Sequence, residues 1–112
     1  CVYGAYNEKK GHKVNDFVKL INEFGVGEVL LNSVDNDGLM KGYDIITLNH
    51  IKELIKKPVI LSGGCGSLED ALNGFKSGVS AIAAGSLFYW VGESIISLKN
   101  YLEKNKILVR MK

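Results

Sequence analysis

The 112-residue chain has one proline, two cysteines, one tryptophan and little net charge. It contains no apolar run of the ~18 residues that would mark a membrane span, and no hydrophobic leader precedes its first charged residues. Two cysteines are too few for a disulfide-stapled mini-protein, and a structural disulfide between Cys1 and Cys65 is the minority reading. Fourteen Lys and Arg against twelve Asp and Glu leave +2, spread thinly apart from knots such as Lys9-Lys10 and Lys56-Lys57, so no nucleic-acid partner is expected. These absences point to a soluble protein of the cytoplasm. With 46% apolar and 23% charged residues, the composition is that of an ordinary globular domain and excludes disorder, collagen and coiled coil. The length suits one domain. The chain opens on Cys1 and passes directly into Val2-Tyr3 without a cap, which suggests a segment of a longer polypeptide.

Val14, Phe17, Val18, Ile21 and Phe24 recur at helical spacing up to Gly25, predicting a helix over 15–24. The apolar run 28–34, between Gly27 and the Asp35-Asn36-Asp37-Gly38 turn, reads as a strand buried on both faces of a parallel sheet. Ile45, Leu48, Ile51, Leu54 and Ile55 give a second helix that must end before Pro58, and 59–61 gives the next strand. Ser67 and Asp70 resemble a capping box for a third helix carrying Leu68, Ala71, Leu72 and Phe75. A strand over 81–84 and a helix with Ile95, Leu98, Tyr101 and Leu102 follow, and the apolar tail Ile107-Leu108-Val109 packs back. The order αβαβαβα implies right-handed crossovers and an α/β fold, either an open doubly wound sheet or part of a (β/α)-barrel. A short internal echo favours the barrel: Phe24-Gly25-Val26 answers Gly78-Val79, and Asn32-Ser33 answers Gly85-Ser86.

In a barrel the chemistry gathers at the C-terminal ends of strands. Ser62-Gly63-Gly64 and Gly85-Ser86 follow successive strands there, and glycines let backbone N–H groups approach an anion near a helix start, so phosphate is the expected ligand. Tight turns alone are the plainer explanation for each pair taken singly. Asp35 and Asp37 suit turn formation, or one carboxylate placed over a substrate; no His or Cys cluster supports a metal. Glu28, at the entry of a strand, is expected at the opposite end as a salt-bridged structural carboxylate. His12 and His50 read as surface residues, and Cys65, with no nearby His, as a poor nucleophile. Tyr89 and Trp90 read as packing residues.

The succession 25–38, then Gly42-Tyr43-Asp44, then Pro58 to Gly64, then Ala83-Ala84-Gly85-Ser86-Leu87-Phe88 closely resembles the cyclase subunit of imidazole glycerol phosphate synthase. The resemblance covers essentially the whole chain. It implies the C-terminal half of a (β/α)8 TIM barrel, from the end of strand 5 to helix 8, with residues 1–112 as a single unit and the N-terminal half absent. It also implies a reaction in which ammonia from a partner glutaminase, forming a heterodimer with the barrel, attacks PRFAR to give imidazole glycerol phosphate and AICAR, with no cofactor or metal. Carried over, Asp37 contacts substrate near the chemistry. Gly38, Gly63, Gly64, Gly85 and Ser86 hold a substrate phosphate, Asn32 and Ser62 line the pocket, and Glu28 joins the charged ring where ammonia enters. Two departures stand against full activity. The general acid and base aspartates of the family lie upstream of Cys1, so this chain alone is expected to be inactive. Ala5-Tyr6-Asn7 replaces the family's second phosphate loop. A paralogous ammonia-channelling barrel, which acts in amidination of surface-polysaccharide sugars, resembles the chain through Asn32-Ser33, 39–44 and Gly85-Ser86-Leu87-Phe88. A third reading is a non-catalytic half-barrel scaffold that self-associates through exposed strand edges.

Overall fold

The computed structural model describes residues 2–3, 10–11 and 13–110. Its element order is β1 (Val2–Tyr3), β2 (Lys10–Gly11), α1 (Val14–Glu23), β3 (Val29–Asn32), α2 (Ile45–Ile51), β4 (Val59–Ser62), α3 (Leu68–Lys76), β5 (Ala81–Ile82), α4 (Ser86–Tyr89) and α5 (Ile95–Lys104). β1 and β2 pair antiparallel as a separate two-stranded sheet, for which the order αβαβαβα has no place. The main sheet runs β3-β4-β5, all parallel, in the register Leu31↔Leu61 and Leu61↔Ile82. Parallel strands joined by helices are the α/β architecture expected of a barrel segment.

Cβ atoms alternate along a strand, so paired residues of neighbouring strands share a face. Val29, Leu31, Val59, Leu61 and Ile82 point to the helices and meet Val18, Leu48, Ile51, Ala71, Leu72, Leu98 and Leu102 in one core. Leu48, Ile51, Leu61, Leu87 and Leu102 are fully buried, each contributing roughly 1.5–3 kcal/mol of transfer free energy. The other face carries Leu30, Asn32, Ile60 and Ser62 and is not covered by the helices. Leu30 is 59% exposed, so β3 is buried on one face only, contrary to the two-sided burial expected from its apolar run. A continuous apolar run does not distinguish a covered face from one that waits for a cover.

Side chains set the element ends. Asn22 of α1 donates to the Leu54 carbonyl at 2.7 Å and accepts from the Lys56 N–H at 3.1 Å. It thereby fixes a tightened turn in which Leu54 N–H bonds the Ile51 carbonyl, and α2 stops at Ile51 rather than running to Ile55. β5 stops at Ile82 rather than Ala84: the Ala83 N–H still bonds Leu61, but the Ala83 carbonyl accepts from the Tyr43 hydroxyl at 2.9 Å. Ser67 caps α3 by accepting from the Asp70 N–H at 3.0 Å, as the sequence suggests. The Asp70 carboxylate, however, reaches one residue further back, to the Gly66 N–H. The reciprocal capping box lies instead at Ser94 and Ser97, opening α5.

Candidate functional site

The segments after the three parallel strands meet at one end of the sheet. After β3 the chain turns sharply, with the Asn36 and Asp37 N–H groups both bonding the Ser33 carbonyl, and this turn sets Asp37 at the sheet end. After β4, Gly63 (φ +88°) and Gly64 (φ +100°) take a left-handed path that brings the backbone against its neighbours. A Cβ on Gly63 would stand 2.6 Å from the Ser33 carbonyl and 3.0 Å from the Asn32 side-chain oxygen; one on Gly64 would overlap the Gly42 carbonyl. After β5, Gly85 leads into the short α4.

Between these segments lies a cavity of about 300 Å³ lined by Asp37, Ser62, Gly63, Gly64, Cys65, Ala83, Ala84, Gly85 and Ser86. It joins six of the residues singled out in the sequence: Asp37, Ser62, Gly63, Gly64, Gly85 and Ser86. Asn32 abuts Gly63 from β3. Gly38 follows Asp37 at φ +77° with open space where a side chain would stand, and does not line the cavity. Asp35 falls on a separate apolar groove beneath α1, so the two carboxylates of the turn are divided. Glu28 is exposed just ahead of β3, at the opposite end of the sheet from Asn32 and Ser62. It makes no ion pair with the described residues.

None of the N–H groups of Gly63, Gly64, Ala84, Gly85 and Ser86 bonds a described residue. Helix dipoles add less than expected: α4 has four residues, and the N-terminus of α3 is capped by Ser67 with Glu69 and Asp70 in its first turn. The capacity of the cavity for an anion therefore lies in the loop amides themselves. Among the described residues, no three His, Cys, Asp or Glu side chains gather as a metal site.

The Gly42-Tyr43-Asp44 motif, given no role from sequence, ties the three segments together. The Gly42 N–H bonds the Gly64 carbonyl at 2.8 Å, and Asn36 Nδ2 donates to the Gly42 carbonyl at 3.1 Å. Tyr43 crosses to Ala83, and Asp44 caps α2 by accepting from the Thr47 N–H and hydroxyl. The Asp44 cap is local, but the partners of Gly42 and Tyr43, at Gly64 and Ala83, lie far along the chain and leave little trace in the sequence.

Cys65 is buried and its thiol lies 3.7 Å from the Ser67 carbonyl. Burial raises its pKa, with the Asp70 carboxylate adding to the effect, so at neutral pH it is a thiol and a poor nucleophile. Burial likewise pushes the Tyr43 phenol far up, with Cys65 and Asp70 adding to it. Both groups keep their protons in the folded state at pH values where the unfolded chain loses them. Their contribution to stability is full below the ordinary thiol value of 9.0 and declines as pH rises through that value and past the ordinary phenol value of 10.0. The loss approaches about 1.4 kcal/mol per pH unit for the phenol, and the thiol adds to it in the same direction. Urea midpoints should therefore fall between about pH 8.5 and pH 10.5, and a flat profile would contradict the buried protonated pair.

Of the other sequence candidates, His50 is exposed and lies with Nε2 3.1 Å from Asn15 Oδ1, between α2 and α1. Tyr89 and Trp90, expected to pack, are 86% and 80% exposed, because α4 commits Leu87 to the core and turns its last residues outward. Cys1, Ala5-Tyr6-Asn7 and His12 lie outside the described residues.

A family model described as histidine biosynthesis protein matches residues 2–92. Among curated relatives, the imidazole glycerol phosphate synthase subunit HisF of Nitrosopumilus maritimus is 40% identical over 111 residues, 98% of this chain and 41% of the relative. The subunits of the same name from Dictyoglomus turgidum and Thermotoga sp. are 41% and 37% identical, over 91% and 96% of this chain and 43% of each relative. The chain thus spans about two fifths of the length of these relatives. On the match over 2–92 and the parallel α/β order, the chain belongs to the histidine biosynthesis protein family of (β/α)8 barrels.

Proposed function

We propose that residues 1–112 form the C-terminal half of a barrel that serves as the cyclase subunit of imidazole glycerol phosphate synthase. Its substrate is PRFAR, its products are imidazole glycerol phosphate and AICAR, and its ammonia comes from a glutaminase partner. The observation that carries this reading is the cavity at the ends of β3, β4 and β5, where unbonded N–H groups of Gly63, Gly64, Gly85 and Ser86 stand with the Asp37 carboxylate. The amides suit one phosphate of a bisphosphorylated substrate. Asp37 then stands where it can accept a hydrogen bond from the substrate next to the reacting atoms. The open face bearing Leu30, Asn32, Ile60 and Ser62 is, on this reading, the barrel interior, closed by the N-terminal half. Glu28 stands at the opposite end, where ammonia would enter.

The decisive experiment is turnover of PRFAR, with an ammonium salt as nitrogen donor, by the full-length protein that carries this segment. Turnover is expected. In the same assay Asp37→Asn should lower kcat about a hundredfold with little change in Tm, because the side chain is exposed and the exchange is nearly isosteric. Undiminished turnover in that variant would remove Asp37 from the chemistry. A well-folded full-length protein inert toward PRFAR would overturn the cyclase reading in favour of the sugar-amidinating paralogue or a scaffold.

A further inference from the structure

The Tyr43 hydroxyl donates to the Ala83 carbonyl across 40 positions of sequence. Its ring lies against α3 at Gly74, where a Cβ would come within 3.0 Å of the ring edge and 3.1 Å of Ile82, so the phenol is seated in a slot only glycine leaves open. Tyr43 is therefore on the helix-covered side of the sheet. The Ala83 carbonyl and the Ala84 N–H belong to one trans peptide and point in opposite directions. Fastening the carbonyl toward the helices turns the Ala84 N–H away from them, and Ala84 lines the cavity with that N–H unbonded.

We propose that Tyr43 is a positioning residue of the anion cavity: by holding the Ala83 carbonyl, it presents the Ala84 N–H, beside those of Gly85 and Ser86, as a further donor to the bound phosphate. The inference rests on the phosphate reading above and adds to it a donor, the Ala84 N–H, and the side chain that holds that donor in place. The phenol retains its proton throughout the working pH range, so the strut donates at every assay pH.

The test uses inorganic phosphate as probe and the full-length protein, followed by amide ¹⁵N–¹H spectra. In the wild type the Ala84 amide should shift together with those of Gly63, Gly64, Gly85 and Ser86. Tyr43→Phe keeps the ring against Gly74 and Ile82 while removing the hydroxyl. It should weaken phosphate binding about tenfold and silence Ala84, while the Gly63 and Gly64 amides still respond. With PRFAR the same variant should raise KM about tenfold and change kcat less than about twofold. Phe75→Leu, a packing change on α3, should lower Tm without altering the phosphate response. Wild-type phosphate affinity in Tyr43→Phe overturns the proposal. So does an Ala84 amide that stays silent in a wild type whose other four amides shift, a readout that needs no variant to fold. Silence of all five amides in the wild type overturns the phosphate reading itself, and Tyr43's role with it.

Discussion

Gly64→Ala is expected to destabilise the protein by roughly 3–5 kcal/mol, the largest single effect at a residue with no side chain to lose. Two separate penalties add. The backbone stands at φ +100°, where an L side chain is strained by about 1–2 kcal/mol. The new Cβ would also overlap the Gly42 carbonyl and press on Asn36 Cβ at 3.0 Å. That carbonyl is unable to retreat freely, because Asn36 Nδ2 holds it at 3.1 Å while the Gly42 N–H is bonded to the Gly64 carbonyl. Relief of the clash therefore breaks the tie between the Asp37 segment and the loop after β4, and anion binding should fall with stability. Gly78→Ala is the control. It stands at φ +90° with nothing within 4 Å of the new Cβ, so it carries the backbone strain alone, about 1 kcal/mol. Urea denaturation of both variants measures the difference. If the two agree within about 0.5 kcal/mol, the collision at Gly42 plays no part.

That contrast also shows where a sequence stops being informative. Gly64 and Gly78 look alike in the chain: each is a glycine beyond an element end, and each is well explained as turn punctuation. What separates them is a carbonyl more than twenty positions away from Gly64. The longer helices were legible because their cause is local, whereas the four-residue α4 was not read from the sequence. Apolar spacing set α1 within a residue of its observed start and end, and Ser67 with Asp70 marked the start of α3. The short apolar runs located all three parallel strands for the same reason. Much of the cavity lining was legible, because glycine pairs and an Asp after successive strands converge once the strands are parallel neighbours, but Gly38 and Asn32 fall outside it. Tyr43 was not, since the acceptor that gives it a role lies 40 positions on. Nor was the exposure of Leu30, Tyr89 and Trp90, because apolar character indicates a residue that gains from burial and says nothing of whether the covering surface is present.

Ser86→Asp is expected to raise KM for the phosphorylated substrate at least about a hundredfold while leaving the fold intact. Ser86 is the first residue of α4, a position where a carboxylate is well tolerated by the unsatisfied N–H groups of a helix start. The same side chain lines the cavity, and its N–H is one of the unbonded donors. A carboxylate there competes for those amides and opposes the phosphate directly. Two unit charges about 5 Å apart at an effective dielectric of about 20 repel by about 3 kcal/mol, which corresponds to roughly two orders of magnitude in affinity. Asp37 already places one carboxylate on this cavity, so the second makes it acidic outright. Ser86→Ala separates charge from the loss of the hydroxyl: it removes one hydrogen bond, and KM should rise only about threefold to tenfold. An Asp variant with the KM of the Ala variant would show that no phosphate sits against Gly85 and Ser86. The predicted order, wild type, then Ala, then Asp by a wide margin, requires an anion at the end of β5.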